Sequence, residues 1–234
     1  LPDQLATLRG LTKWAERINH PTQAPAVVGE AFKQLTTGRI RPVAIETPWD
    51  VFAQKAEVDL EVPMEVPPPP VPDPDGIAAA VALLKAAKSP MITVGGGAVH
   101  AGEEVLELAK MLQAPVTAHR SGRGIVSDEL PYGFTCASGY KPWLKTDVLL
   151  GIGSRLELEY LRWMKIPEGL KVIRIDIDPT EMFRLRPAVG IVADAKLGAR
   201  ALADALSREI AKRASREQEF EAIKARTLEE IRSV

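Results

Sequence analysis

Two hydrophobic spacings alternate along the chain from about residue 76 onward. Short apolar runs rich in β-branched residues predict strands at residues 91–94, 114–119, 147–153, 171–178 and 189–192. Between these runs, apolar residues recur every three or four positions, which is typical of amphipathic helices. Apolar strands separated by helices imply a parallel sheet that is covered on both faces. This part of the chain is therefore predicted to be an α/β domain.

Four helices are predicted in the same region. One is expected to be capped by Asp75, and one to begin near Ala98 with Glu103 and Glu104 in its first turn. Two more are predicted over residues 195–212 and 215–234. The apolar face of the last contains Phe220, Ile223, Thr227 and Ile231. We expect that face to pack against a partner, such as a missing domain.

The first part of the chain carries fewer elements. Residues 22–38 predict a helix that stops at Gly38, and residues 41–48 a short strand between prolines. Because so few elements cannot form an independent core, residues 1–52 are expected to be the tail of a domain whose beginning is absent. Residues 53–75 are predicted to be a linker, because they hold prolines at 63, 67–70, 72 and 74.

Composition narrows the class of protein. The 234 residues include 30 basic and 31 acidic side chains, so neither nucleic acid nor an anionic membrane surface is an expected partner. No apolar stretch is long enough to span a bilayer, and no signal peptide is recognisable, so we expect a cytoplasmic protein. A single cysteine, Cys136, and three scattered histidines give no metal-ligand spacing.

The candidate chemistry begins at Gly95, Gly96 and Gly97, which separate the first predicted strand from its helix. Glycines here allow a sharp turn and close approach to a ligand at a helix N-terminus. An NAD fingerprint is disfavoured, because His100 stands where its third glycine should fall and no acidic residue ends the next strand. The alternatives are a cradle for another nucleotide or a tight turn without a ligand.

Two later strand ends should open on the same edge of the sheet. Arg155, at the end of GIGSR, is suited to phosphate, although an ion pair with Glu157 or Glu159 is the competing interpretation. Asp176 and Asp178 could accept hydrogen bonds from a ribose, or they could cap the turn that follows. Arg120 and Arg123 are further candidates, on the loop after residue 119.

Taken in order, several motifs resemble those of the thiamine-diphosphate-dependent enzymes of the acetolactate synthase, pyruvate oxidase and benzoylformate decarboxylase superfamily. They are LTKWAERI, TTGRIRPVAIETPWDVF, the proline-rich linker, SPMITVGGGAVHAGEEVLELAKMLQAPVTAHRSGRG, DVLLGIGSRL, VIRIDIDPTE and VADA. The resemblance implies that residues 1–52 end a pyrimidine-binding domain. It implies that residues 76–212 form a central domain, a Rossmann-like (DHS-like) six-stranded parallel sheet, and that residues 213–234 connect to a pyrophosphate-binding domain.

The resemblance also implies where a cofactor would bind. Some relatives hold FAD or ADP in the central domain, and others hold no nucleotide. The matching positions here are Gly95, Gly96, Gly97, His119, Arg120, Ser121, Gly151, Arg155, Asp176, Ile177, Asp178 and Asp194. Three departures fit an adenosine-only ligand or an empty domain at least as well as FAD. Residues 156–159 read LELE where FAD-binding synthases have an FDDR-like run, Ala193 replaces a glycine, and the loop over residues 130–139 is short.

The function expected of this chain depends on which catalytic and cofactor-binding residues the resemblance places in other domains. The catalytic glutamate and the motif that holds magnesium and thiamine diphosphate would lie outside this chain, so the chain alone should be inactive and has no catalytic or metal residue. The intact protein would be a decarboxylase or carboligase for 2-keto acids or acyl-CoA analogues, as a homodimer or homotetramer. The alternatives are a stand-alone module of the electron-transfer flavoprotein type and a purely structural spacer.

Overall fold

The computed structural model describes residues 2–61 and 64–233, which form two compact units divided between Pro69 and Pro70. The first unit contains two helices and a two-stranded parallel sheet. Their bounds are α1 (Gln4–Leu11), β1 (Trp14–Arg17), α2 (Ala24–Thr36) and β2 (Val43–Glu46). The prediction of α2 and β2 is confirmed, whereas α1 and β1 were not predicted.

Local chemistry accounts for the ends of these helices. The Asp3 side chain caps α1 by accepting a hydrogen bond from the Ala6 N–H at 3.0 Å. After α2, Gly38 adopts a left-handed conformation with φ of 53°. A two-stranded sheet is at best marginally stable by itself. The unit leaves Phe32, Ile40, Trp49 and Phe52 more than half exposed.

The second unit is built on six parallel strands in the order β5-β4-β3-β6-β7-β8. The strands are β3 (Pro90–Val94), β4 (Val116–Ala118), β5 (Gly133–Phe134), β6 (Val148–Ile152), β7 (Lys171–Asp176) and β8 (Val189–Val192). The predicted α/β class, with a Rossmann-like six-stranded parallel sheet, is confirmed. The connection order reverses between β3 and β6, and such a reversal is where open α/β sheets place a ligand crevice.

Helices cover both faces of this sheet. They are α3 (Pro74–Ala86), α4 (Gly102–Leu112), α5 (Cys136–Trp143), α6 (Glu181–Arg184), α7 (Ala195–Glu209) and α8 (Glu217–Arg232). Helices α3, α4 and α7 pack on the face that presents Ile92, Leu150 and Ile173. On the opposite face, Met91, Leu149 and Val172 pack against Trp143 of α5. Alternation along each strand supplies both cores.

Two local predictions were wrong. The helix expected near Ala98 begins at Gly102, because Gly96–Ala98 forms a short 3-10 turn first. The cap of α3 is Asp73 and not Asp75, since the Asp73 carboxylate accepts the Gly76 N–H at 3.1 Å. Asp75 lies in the first turn, where its charge suits the helix dipole.

Most of the apolar face of α8 packs within the same unit, whereas Ile231 at its C-terminal end stays 57% exposed. Phe220 is fully buried and packs edge-on against Tyr132 and Phe134, with ring centroids 5.9 and 5.4 Å apart. The Lys224 ammonium also donates to the carbonyl oxygens of Asp128 and Leu130. Helix α8 therefore covers the β5 edge of the sheet. In the described residues, no helix combines the length and apolar character needed to cross a membrane.

Candidate functional site

The structure brings the three predicted strand ends to one edge of the sheet. Gly151 of β6 lies beside Thr93 of β3 and Arg174 of β7 in register. The chain then leaves the sheet at adjacent positions, where the Gly95 N–H donates to the Ile152 oxygen at 3.1 Å and the Gly153 N–H to the Ile175 oxygen at 2.8 Å. These loops, with those after β4 and β8, form the carboxyl edge.

Protein backbone fills the space beside the glycine turn. A Cβ atom on Gly95 would lie 2.3 Å from the Gly153 oxygen, and one on Gly97 would lie 2.8 Å from the Gly153 Cα. The Gly97 N–H also donates to the Gly153 oxygen at 3.1 Å. The glycines at 95 and 97 are therefore required by contact between the loops after β3 and β6, whatever else the edge binds.

Gly96 meets the loop after β4. A Cβ atom on Gly96 would lie 2.7 Å from the Ser121 Oγ. His119 is partly buried, and Arg120 begins a short 3-10 turn in a left-handed conformation with φ of 51°. The Arg120 side chain is 67% exposed and lies 3.4 Å from the Glu157 carboxylate. The predicted residues 119–121 thus adjoin the glycine turn.

Arg155 joins a cluster of charges around the buried Glu181. The Arg155 Nε donates to one Glu181 carboxylate oxygen at 3.0 Å, and Arg184 Nε donates to the other at 2.7 Å. Arg174, which is fully buried, donates to the same carboxylate at 3.2 Å and to the Ser154 carbonyl at 2.9 Å. The Arg155 guanidinium also lies 3.9 Å from the Glu157 carboxylate. The Arg155 side chain remains half-exposed.

The three aspartates of the predicted site organise the local backbone. The Asp176 carboxylate accepts the Asp178 N–H at 3.0 Å, and Asp178 accepts the N–H and hydroxyl of Thr180 at 3.0 and 2.6 Å. The capping alternative is thus present at Asp178, and Ile177 lies between the pair, partly buried. Asp194 caps α7, accepting the N–H groups of residues 196 and 197 at 2.9 and 3.1 Å.

An open cavity of about 260 Å³ lies on the β3–β5 half of this edge. Its walls are formed by Val94, Val116, Ala118, Arg123, Gly124, Val126, Asp128, Phe134 and Thr135. Arg123 is exposed, and its backbone N–H donates to the Arg120 oxygen at 3.2 Å, but its guanidinium has no hydrogen bond or ion pair within the part of the chain that the structure describes. Apolar side chains line part of the cavity, and its walls also carry the Arg123 guanidinium and the Asp128 carboxylate, so an anionic group suits only the Arg123 side.

Sequence reasoning missed three buried ionisable residues near this edge, which are Glu181, Arg174 and Glu159. Arg174 lies between two isoleucines of a predicted strand, and that position was the only available sign that it faces a core. Glu159 is fully buried, and burial raises the pKa of its carboxyl. Within residues 2–61 and 64–233, no group of three or more acidic, histidine or cysteine side chains is arranged to hold a metal ion.

Comparison with known proteins gives a consistent result. Residues 77–202 match the family model described as the central domain of thiamine pyrophosphate enzymes. The chain is 33% identical to a probable acetolactate synthase large subunit of Methanococcus aeolicus, over 83% of this chain and 35% of that protein. It is 29% identical to a probable 2-ketoarginine decarboxylase of Pseudomonas aeruginosa, over 88% of this chain and 38% of that protein.

A solved structure shares the fold. The benzoylformate decarboxylase of Polynucleobacter necessarius superposes with a TM-score of 0.71 at 22% identity, covering 87% of this chain and 39% of that one. The chain therefore spans a little over a third of the length of the proteins that it matches.

Proposed function

The chain belongs to the thiamine pyrophosphate enzyme family, of which it contains the central domain, and from this premise we propose that it supports a thiamine-diphosphate-dependent decarboxylase or carboligase. The substrates proposed for the whole enzyme are 2-keto acids or their acyl-CoA analogues. The Pseudomonas aeruginosa relative is named for the decarboxylation of a 2-keto acid, 2-ketoarginine, and the Methanococcus aeolicus relative for the synthesis of acetolactate. The family match favours this proposal over a stand-alone electron-transfer flavoprotein module.

The role proposed for this chain is structural. It would position pyrimidine- and pyrophosphate-binding domains, which would hold thiamine diphosphate and magnesium, in a cytoplasmic homodimer or homotetramer. The observation that carries this proposal is the contact between Gly97 and Gly153, because backbone atoms occupy the side of the expected nucleotide-binding turn on which a Cβ atom would stand. Arg155 and Asp194 are likewise engaged by protein groups.

A second proposal is that the central domain binds ADP or FAD at the open cavity. Arg123 supports it, since the guanidinium is exposed at the rim of the cavity and could pair with a phosphate. Arg120 lies on the same loop and carries a second exposed charge. In this arrangement the phosphate would lie beside the loop after β4, away from the Gly97–Gly153 contact.

Thermal unfolding with FAD, ADP and coenzyme A separates the two proposals. A ligand at 100 times its dissociation constant adds about 2.7 kcal/mol to stability, which is readily seen as a higher midpoint. The structural proposal expects no shift with any of the three at millimolar concentration, and no flavin absorbance in the purified protein. Stoichiometric bound flavin would overturn it.

Two arginine variants locate any ligand that does bind. If ADP raises the midpoint, the cavity proposal expects Arg123→Gln to abolish the rise and Arg155→Gln to preserve it. The opposite result would assign the ligand to the glycine turn. Calorimetry with thiamine diphosphate and Mg²⁺ is expected to give no heat of binding. Submillimolar binding by this chain would contradict the proposed division of labour between domains.

A further inference from the structure

Residues 156–164, here called the π segment, have an unusual backbone. Leu156 and Met164 at its two ends are both left-handed, with φ of 56° and 57°. Between them Leu158–Trp163 is a π-helix, which the Met164 N–H closes by donating to the Glu159 oxygen at 3.2 Å. Non-glycine residues in the left-handed region and π turns are both disfavoured, so they persist only where packing holds them.

Two apolar contacts hold the segment in place. The Leu156 side chain lies over Gly151, where a Cβ atom would come within 2.9 Å of its Cδ2. The Trp163 indole donates to the Cys136 oxygen at 3.2 Å and packs against Trp143, with centroids 5.6 Å apart. Met164 and Leu161, by contrast, are 76% and 66% exposed. The segment is thus anchored on one side only.

The third contact is polar and completely buried. One Glu159 carboxylate oxygen accepts a hydrogen bond from the Thr93 hydroxyl, which lies 2.9 Å from the Thr117 hydroxyl. The other oxygen, Oε2, is buried with no hydrogen-bond partner in the described part of the chain. A neutral carboxyl tolerates this environment far better than a carboxylate does.

Among the described residues, no cation forms an ion pair with the Glu159 carboxylate. Strands β3 and β4 present the neutral Thr93 and Thr117. Within the segment, burial raises the pKa of Tyr160, which the Glu159 charge also raises and Arg174 lowers. Arg174 itself is bound to Glu181. The remaining titratable neighbours of the segment are Cys136 and Tyr140 of α5, and Glu157, which is close to Arg120 and Arg155.

We propose that the π segment is a pH-dependent switch, in which protonated Glu159 holds the segment against β3 and loss of that proton to solvent releases it. Release would relax both left-handed residues and free Trp163 from α5. The segment begins one residue after Arg155, whose carbonyl oxygen accepts a hydrogen bond from Arg184 and whose side chain binds Glu181. Release would therefore also loosen the carboxyl edge of β6 and β7.

Hydrogen exchange of the full chain between pH 5.5 and 8.5 tests the switch. After correction for the intrinsic pH dependence of exchange, amide protection in residues 156–164 is expected to fall at least tenfold as pH rises. The Glu159→Gln variant, which keeps a neutral side chain of the same shape, should retain its protection throughout. Glu168→Gln, at an exposed position nearby in sequence, is the matched control and should behave as the wild type.

Two results would overturn the proposal. One is a pH profile for Glu159→Gln that coincides with the wild-type profile. The other, which needs no variant, comes from circular dichroism of the wild type. The switch expects the near-UV tryptophan signal to decrease with rising pH while the far-UV signal is unchanged, and a near-UV signal constant from pH 5.5 to 8.5 would exclude release of Trp163.

Discussion

Gly97 and Gly153 determine how closely two loops of the carboxyl edge approach. Backbone atoms of each lie where a Cβ atom of the other would stand, and Gly153 is left-handed with φ of 55°. An alanine at position 153 would face both a clash and an unfavourable conformation. Position 97 isolates the clash, because its conformation is not in the left-handed region.

We therefore expect Gly97→Ala to destabilise the second unit by about 1–3 kcal/mol through overpacking. Urea unfolding followed by circular dichroism measures the change. Gly29→Ala is the control, because this position lies in α2 with no atom within 4 Å of the added Cβ. That variant should be neutral or stabilised by up to about 1 kcal/mol. Unchanged stability of Gly97→Ala would contradict the close contact between the two loops.

Glu159 makes stability depend on pH. Burial raises the pKa of its carboxyl above 4.5 in the folded state, so the folded protein binds the proton more tightly than the unfolded chain does. The stability of the protein should consequently fall as pH rises from about 4.5 through the folded-state pKa. Glu159→Gln lacks this dependence.

Urea unfolding at several pH values checks the sign. The free energy of unfolding of Glu159→Gln relative to wild type is expected to be smallest near pH 4.5 and to increase steadily with pH. A difference between the two proteins that stays constant with pH would show that the Glu159 carboxyl does not titrate differently on folding.

Single residues also show where sequence reasoning stops. The glycines, Arg155 and the aspartates could be placed at one edge because the ends of parallel strands meet there. Burial of Arg174 and Glu159 could not be predicted, since charged residues are seldom fully buried. Thr93, the partner of Glu159, is 66 residues away, and Glu181, seven residues after Arg174, lies in a separate short helix. The contact between Gly97 and Gly153 is equally invisible in the sequence.

Among the secondary-structure elements, length and regular spacing separate those that could be predicted from those that could not. Strands β3, β6 and β7 have five or six residues with buried apolar runs, and all three were predicted. Strand β5 has two residues, too few to show any alternation, and α5 contains an internal proline. The π-helix has no hydrophobic period of its own, because its geometry depends on tertiary packing.

Helix α7 provides a test at this scale. Asp194 caps it through two N–H groups, so Asp194→Ala should destabilise the second unit by about 1 kcal/mol. Asp194→Asn should retain most of the stability, because asparagine is an equally good cap. Thermal melting distinguishes the two variants, since a change in stability of about 1 kcal/mol shifts the melting midpoint of a domain of this size by about 2–4 °C. Equal losses in both variants would indicate that the negative charge matters more than the cap.

At the level of the whole molecule, the two units differ in how many buried apolar side chains each contains. The second unit buries a large apolar cluster that joins α3, α4, α7 and the sheet, whereas the buried apolar side chains of the first are few. Residues 54–61 have no regular secondary structure and are exposed. The second unit should thus remain folded when the chain is cut in this region.

Limited trypsin digestion tests this independence. Early cleavage is expected after Lys55, which is exposed. Mass spectrometry should identify a resistant product beginning at Ala56 that melts cooperatively. The two units would instead be stable only together if the product beginning at Ala56 showed no melting transition and was itself digested rapidly.

The strand order also has a consequence for synthesis on the ribosome. Strand β3 pairs with β4 on one side, but its other neighbour, β6, is encoded roughly 50 residues later, which at about 5–20 residues per second delays pairing by roughly 3–10 s. During that interval the nascent chain presents the unpaired edge of β3, one of the two central strands of the sheet. A chaperone that recognises extended apolar segments would be needed most while residues 95–147 are being translated.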